Sequence, residues 1–294
     1  MGELTTIEAN QLSELAEELG ATSHTQTRVF MPELKINYND EDESGKSLKM
    51  GNMYIRESGE TDFYYTNKVT FRPLSQMHQY SIYSPQEQTT TCRTVLIKNF
   101  SEEARDTNGT IRCGRPSSKE MQDLTAEQRE KYSDVKNQRQ LRGVVSCTGK
   151  NTKGETKAYE NFPVLVRLTG QNNYQVDEKN KLFSPFERQF LNQVPRGSSM
   201  WNFNVDITTK RRKSQAGKAY FTYEYVPDFG TPLALNRDVY DTLMFIKEII
   251  DAENDYVDKQ FYKVIKGNSM DAEASQILDQ LHDHLDADFE EIPF

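Results

Sequence analysis

The 294-residue sequence has three cysteines, one tryptophan and no long apolar run. No stretch approaches the roughly 18 consecutive apolar residues that suggest a membrane-spanning helix, so a soluble protein is expected. Cys92, Cys113 and Cys147 are odd in number and far apart, which favours a reducing cytoplasm over a disulfide framework. Residues 1–20 are acidic and amphipathic, so the sequence predicts no secretory signal peptide.

The motifs of common enzyme classes are also missing. The sequence contains no phosphate-binding loop, no nucleophile motif and no clustered set of histidines and carboxylates. His78 and the three cysteines have the composition of a Cys₃His zinc site, but no two cysteines have the short spacing of a zinc knuckle. We therefore predict a protein that is not an enzyme, with buried free thiols and neither metal nor cofactor.

Charge is distributed unevenly along the chain, whose net charge is −9. Residues 1–56 carry −5, residues 57–235 carry +6 and residues 236–294 carry −10. A basic body between acidic ends can bind a polyanion, and such binding weakens as salt rises. The middle of the chain is therefore the place to look for a nucleic-acid interface.

Alternation of apolar and polar residues predicts strands through that middle region. In Asp62–Arg72, one face is predicted to carry Phe63, Tyr65, Val69 and Phe71, and the other Tyr64, Lys68 and Arg72. Further strands are predicted at Arg28–Asn37, His78–Ser84, Thr90–Asn99, Arg139–Thr148 and Phe162–Thr169. The clearest hairpin joins Trp201–Ile207 to Ala219–Tyr225, and its tip, Lys210–Lys218, contains four consecutive cations.

Helices are predicted at both ends and in two interruptions of the strand pattern. They are Thr5–Leu19, a stretch from Ser118 or Thr125 to about Lys136, Ser184–Val194, Asn236–Ile250, Asn254–Lys266 ended by Gly267, and about Met270–Leu285. The predicted fold is mainly β with added helices (α+β). Its core is an OB-like Greek-key barrel, followed by C-terminal helices and a disordered acidic tail. A small β-sandwich like those of capsid and tail proteins fits the same alternation.

This pattern divides the chain into four predicted regions. They are an N-terminal helix and acidic loop (1–52), an OB-like core (53–235) with an insertion at about 101–137, a helical segment (236–269), and an acidic C-terminal helix with its tail (270–294).

Single-stranded DNA binding without sequence preference requires cations along a groove and exposed aromatic rings, on which each stacked base contributes about 1–3 kcal/mol. The hairpin tip and the polar strand faces supply both types of residue. The candidate residues are Tyr64, Lys68, Arg72, Tyr83, Arg93, Arg139, Arg142, Lys210, Arg211, Arg212, Lys213, Lys218 and Tyr220. The alternative for each is an ordinary surface position, and Trp201 is predicted to belong to the core.

The last nine residues, Asp286–Phe294, are an acidic run closed by an apolar tip. Too few of them are apolar to offset the entropy of ordering, so we expect a mobile segment that suits a basic, apolar pocket on another protein. This segment resembles the C-terminal tip of bacterial single-stranded DNA-binding proteins, which ends in Ile-Pro-Phe. The resemblance implies three docking residues and three steering charges: Ile292, Pro293 and Phe294, with Asp288, Glu290 and Glu291.

By this resemblance we expect a bacteriophage-encoded single-stranded DNA-binding protein that acts in the host cytoplasm. It would coat and protect single strands in replication, recombination and repair, and recruit partner enzymes through its tip. Strand annealing and homo-oligomerisation stay open. The alternative is a virion or other structural protein with a β-rich body and no nucleic-acid role, which would take up little oligonucleotide at any salt concentration.

Overall fold

The computed structural model describes residues 31–41, 45–57, 59, 62–87, 89–100, 102–214 and 217–287, and the last 20 of these by backbone alone. The predicted helix Thr5–Leu19 and the tail tip 288–294 lie outside this part of the chain. Within it, strands outnumber helices, so the prediction of a mainly β protein with added helices is confirmed.

The elements follow one another in a largely β order. The strands are β1 (Glu33–Ile36), β2 (Met53–Arg56), β3 (Tyr65–Thr66), β4 (Lys68–Ser84), β5 (Thr89–Arg93), β6 (Val135–Lys150), β7 (Thr156–Leu168), β8 (Gln175–Val176), β9 (Leu182–Phe183), β10 (Asn204–Lys213) and β11 (Ala219–Asp228). The α-helices are α1 (Ser118–Asp123), α2 (Ala126–Glu130), α3 (Pro185–Gln189) and α4 (Arg237–Ala287).

Five of the strands pair into a closed ring. β1 pairs with β2, β2 with β3, β3 with β6, and β6 with β7, all antiparallel. A parallel pairing of β7 with β1 then closes the ring. The contact between β3 and β6 is narrow, since it consists of the pair Tyr65–Lys150. The ring is thus a meander closed by one parallel pairing, and the predicted Greek-key connectivity is not confirmed.

Strand β4 extends beyond the ring. After a bend at Asn67, β4 continues the course of β3 along β6. The β10–β11 hairpin pairs with the first residues of β4, and β5 pairs with its last residues. β4 therefore meets the hairpin at one end and the β5 region at the other.

β4 and β6 approach each other closely near Pro73, where their register shifts. A β-carbon at Gly143 would lie 2.1 Å from the carbonyl oxygen of Arg72 and 2.7 Å from the ring of Phe71. Glycine allows this approach because it has no side chain. The long ladder of β4 and β6 depends on glycine at this position.

The apolar faces of the ring and of the hairpin form one core. Phe71, Leu141, Val166 and Ile207 are fully buried there, and α3 adds Phe186. Burial of each such side chain stabilises the fold by about 1.5–3 kcal/mol. This core fixes which residues of β10 and β11 face inward.

The predicted insertion at about 101–137 carries two short helices. Each begins with a capping box, formed by Ser117 with Glu120 in α1 and by Thr125 with Gln128 in α2. In this motif the side chain at the cap and the one three residues later satisfy each other's backbone N–H groups. Helices this short owe their position to such caps more than to propensity.

The C-terminal region forms one continuous helix, α4, of 51 residues. The prediction of separate helices at Asn236–Ile250, Asn254–Lys266 and about Met270–Leu285 is therefore wrong. Gly267 was expected to end the second of these, but a glycine in a helix interior costs only about 1 kcal/mol relative to alanine. The helix contains no proline, so nothing in its sequence forces a break.

α4 packs across the outer faces of β4, β6 and β7. Ile246 and Ile249 lie against Leu74 and Val144, and Val257 contacts the cluster beneath the insertion. Asn254, the expected start of a separate helix, accepts the backbone N–H of Leu96 at 2.6 Å instead. No helix in the described ranges is long and apolar enough to cross a membrane.

Candidate nucleic-acid interface

The predicted β10–β11 hairpin is present in the described fold. Its ladder runs from Asn204–Asp228 to Lys213–Ala219 without a register shift. Alternation directs Ile207 and Tyr225 into the core. The intervening residues, including Lys210, therefore lie on the outer face.

The outer face of this hairpin holds cations that are already paired. Lys68, on the adjoining strand β4, contacts Asp206 at 2.6 Å. Lys210 and Arg212 share Glu224, at 3.1 and 3.8 Å. All five side chains are at least partly exposed, so each pair stabilises the fold little. They do reduce the positive charge that this face offers a phosphate.

Cations towards the hairpin tip differ from those of the outer face. Arg211, Lys213 and Lys218 are exposed, and within the described ranges none of them forms an ion pair. Tyr220 is half-exposed and lies opposite Arg212 in the ladder, on the outer face of the hairpin, whereas Arg211 and Lys213 alternate to the other face. The tip therefore carries three cations that no described residue compensates, with an aromatic ring on its outer face.

The predicted faces of Tyr64 and Tyr65 are interchanged. Tyr64 packs against the core, and its ring lies 5.6 Å from the Lys157 ammonium. Tyr65 instead pairs with the outward-facing Tyr54, at 5.6 Å between ring centroids. The bend at Asn67 breaks the alternation that continues to Phe71, so the faces before and after it do not correspond. Tyr65, and not Tyr64, lies on the outward face beside Tyr54.

Three predicted phosphate contacts, Arg72, Arg139 and Arg142, are buried. Arg72 donates from Nε to the Trp201 carbonyl oxygen at 2.6 Å and from Nη2 to that of Ala234 at 2.9 Å. Burial lowers the pKa of this guanidinium. Because these donors already bond the backbone, Arg72 is not available to a phosphate in this arrangement.

Arg139 and Arg142 are held by carboxylates of neighbouring helices. Arg139 contacts Glu187 of α3 at 2.7 Å, and Arg142 contacts Glu253 of α4 at 3.0 Å. Arg139 also donates to the Ser184 hydroxyl at 2.7 Å. A buried cation must be paired to be tolerated, so these contacts indicate a structural role in the interior.

Tyr83 and Arg93 lie at the far end of β4 from the hairpin. Tyr83 is 53% exposed, but 15 residues of strand separate it from Lys68. The Arg93 guanidinium lies 4.9 Å from the centre of the Tyr256 ring of α4. The structure therefore gathers the following predicted residues at one site: Lys68, Lys210, Arg211, Arg212, Lys213, Lys218 and Tyr220.

A polar cleft of about 290 Å³ lies beside this site, at the narrow contact between β3 and β6. Its lining includes Lys49, Lys150, Asn52, Asn67, Tyr65 and Thr148. Sequence reasoning missed this set, because Lys49 and Lys150 are 101 positions apart and only strand pairing unites them. The Gly/Lys-rich turn that follows β6 was the one local signal near it.

Cys92, Asp106 and Cys113 form a buried cluster whose candidate ligand atoms lie within 4.8 Å of one another. Asp106 accepts bonds from the N–H groups of Asn108, Thr110 and Cys113 and from the Thr110 hydroxyl, at 2.7–3.0 Å. A hydrogen bond with Cys92, together with burial, holds the pKa of Cys113 well above its usual range. Both carboxylate oxygens of Asp106 already accept hydrogen bonds, so we assign no metal here.

Comparison with protein-family models, curated proteins and solved structures gave no match. The resemblance of the tail tip to that of bacterial single-stranded DNA-binding proteins therefore gains no support from a relative. Function has to be inferred from the charges, rings and burial of this chain.

Proposed function

We propose that the protein binds single-stranded DNA across the tip of the β10–β11 hairpin and the adjoining face of β3 and β4. The observation that carries this proposal is the trio Arg211, Lys213 and Lys218, exposed at one edge and in no ion pair within the described residues. Tyr220, on the outer face of the same hairpin, supplies a ring for stacking. Cations that follow a backbone together with aromatic rings are the usual elements of a sequence-tolerant single-strand site.

The proposed mechanism is stoichiometric, with no bond made or broken. Each phosphate that a cation neutralises releases counterions. For single strands, the slope of the logarithm of the binding constant against the logarithm of the salt concentration becomes steeper by about 0.7 for each such contact. The closed ring serves as an OB-like platform that holds the hairpin in place. The protein coats and protects single strands during replication, recombination and repair in the cytoplasm, without catalysing a reaction.

The acidic segment 286–294 completes the proposal as a recruiting device. Ile292, Pro293 and Phe294 dock in an apolar pocket of a replication, recombination or repair enzyme, and the preceding carboxylates steer the encounter. Removal of this segment should abolish recruitment while the described body stays folded. Pull-down of a candidate enzyme by the full chain and by the shortened chain tests this part separately.

The DNA-binding part is tested by fluorescence anisotropy of labelled oligo-dT over a range of salt, with equal-length duplex as competitor. The variant R211Q/K213Q/K218Q should reduce the slope of log affinity against log salt by about 2, because it removes three phosphate contacts. The control K98Q/K119Q/K131Q removes three exposed cations elsewhere and should change the slope little. Absence of binding by the wild-type protein at low salt would contradict the proposal and favour a structural, assembling body.

A further inference from the structure

The polar cleft at the contact between β3 and β6 carries positive charge that no acidic residue of its lining offsets. Lys49 and Lys150 line it, and no aspartate or glutamate does. Neither lysine forms an ion pair with any described residue. On the outer face of the hairpin, by contrast, Asp206 and Glu224 compensate the cations. The cleft and the hairpin tip are thus similar in charge.

Neutral groups of the cleft suit an anion as well. The side-chain amides of Asn52 and Asn67 and the hydroxyl of Thr148 can all donate hydrogen bonds. Two ammonium groups with amides and hydroxyls form a donor-rich lining, which fits phosphate oxygens. A volume of about 290 Å³ is roughly that of ten waters in the liquid, so a phosphate with its sugar has room.

Tyr65 gives the cleft an aromatic wall. Its ring lies 5.6 Å from that of Tyr54, which in turn lies 4.9 Å from Phe63. Ring contacts of this kind restrict the orientation of a half-exposed tyrosine. A base entering the cleft therefore meets a ring already held in position.

The cleft is continuous with the base of the hairpin. Asn52 follows Gly51, whose carbonyl oxygen accepts a hydrogen bond from the Thr209 hydroxyl of β10. Asn67 precedes Lys68, which pairs with Thr208 of the same strand. A strand of DNA leaving this part of β10 therefore meets the cleft next.

We propose that the cleft is a second subsite for single-stranded DNA, in which Lys49 and Lys150 bind a backbone phosphate and Tyr65 stacks the neighbouring base. This subsite rests on the proposed function, since it extends the path that begins at the hairpin tip. It accounts for two lysines and a tyrosine that the hairpin alone leaves without a role.

The test compares K49Q/K150Q with K153Q/K179Q in the full chain, by anisotropy with oligo-dT across a salt series. The control removes two exposed lysines, of which Lys153 is paired with Asp62 at 2.6 Å. The cleft variant should reduce the slope of log affinity against log salt by about 0.7, for the one phosphate that the two lysines hold, and bind about tenfold more weakly at moderate salt. The control should remain within about twofold of wild type.

A second pair of variants tests the aromatic wall. Y65L should weaken binding about tenfold, whereas Y65F, which keeps the ring, should bind within about twofold of wild type. If the hairpin variant loses affinity while the cleft variants bind like wild type with an unchanged slope, the subsite is refuted and the proposed function stands. If wild-type protein binds no oligonucleotide at low salt, both fail.

Discussion

The hairpin pairs with the first residues of β4, whereas α4 packs across the outer faces of β4, β6 and β7, and similar cations behave differently in the two regions. At the hairpin end, Arg211 and Lys213 remain exposed. At the helix end, Arg142 is fully buried against Glu253. A cation on the polar face of a strand is therefore available to a ligand only where no other element covers that face.

The difference follows from what packs on each end. An isolated charge transferred into the interior costs several kcal/mol unless a counter-charge and hydrogen bonds accompany it. α4 brings both an apolar stripe and a carboxylate to β6, so Arg142 becomes part of the interior. The hairpin extends past the core, so its cations keep their hydration and their capacity to bind phosphate.

The largest expected effect comes from breaking the buried pair. R142A should lower the free energy of unfolding by about 3 kcal/mol, because it leaves a void against α4 and removes the partner of Glu253. Denaturant unfolding measures this loss. Affinity for oligo-dT per folded molecule should stay unchanged, since Arg142 is not part of the proposed path.

The variant R142M serves as the matched control. Two nitrogens of Arg142, Nε and Nη1, have no hydrogen-bond partner in the described protein, so a long apolar side chain gives up few bonds there. R142M should stay within about 1.5 kcal/mol of wild type. If R142A kept its stability and lost affinity for DNA, Arg142 would be a DNA contact and the distinction between the two regions would fail.

A second expected effect is a pH dependence that arises from the buried His78 of β4. Burial, followed by the charge of Arg139, lowers the pKa of His78 to about 4. An unfolded histidine titrates near 6.5, so the unfolded state takes up its proton first as the pH falls. The contribution of neutral His78 to stability is fully present above about pH 6.5 and is lost as the pH falls towards 4. The loss amounts to about 2.5 kcal/mol at pH 4.5.

H78F isolates the contribution of His78 to the pH dependence, because it removes the titrating group and keeps a ring against Phe100. The ring centroids of His78 and Phe100 are 4.4 Å apart. Unfolding free energies of both proteins at pH 7 and pH 4.5 provide the measurement. Wild type should lose about 2.5 kcal/mol more than H78F over this range. Equal losses in the two proteins would show that His78 is not the group responsible.

The smallest expected effect concerns the compensated cations of the hairpin. E224Q frees Lys210 and Arg212 from their shared carboxylate and should raise affinity for oligo-dT about threefold at low salt, with the gain fading as salt rises. Stability should change by less than about 1 kcal/mol, because the pairs are exposed. The control E178Q removes an exposed acid outside the interface. Weaker binding by E224Q would mean that Glu224 positions the cations instead of competing for them.

Sequence reasoning located the hairpin, its cations and the mainly β character of the chain. It assigned strand faces wrongly at a bend in the chain, and it placed helix ends wrongly where packing keeps one helix continuous. The bend at Asn67 exchanged Tyr64 with Tyr65, and the apolar stripe of α4 continued past Asn254 where separate helices had been expected. The partners Lys49 and Lys150 were not predictable, because only the pairing of β2 with β3 and of β3 with β6 brings them to one cleft.

The sequence by itself determined the alternation of the strands, the composition of the hairpin tip and the separation of charge along the chain, because these depend on neighbours a few residues apart. The tertiary structure decided which polar faces stay exposed. Arg142 and Glu253 are 111 residues apart, and no local period encodes their contact. Burial depends on what packs from elsewhere in the chain, so the availability of a cation is a property of the fold.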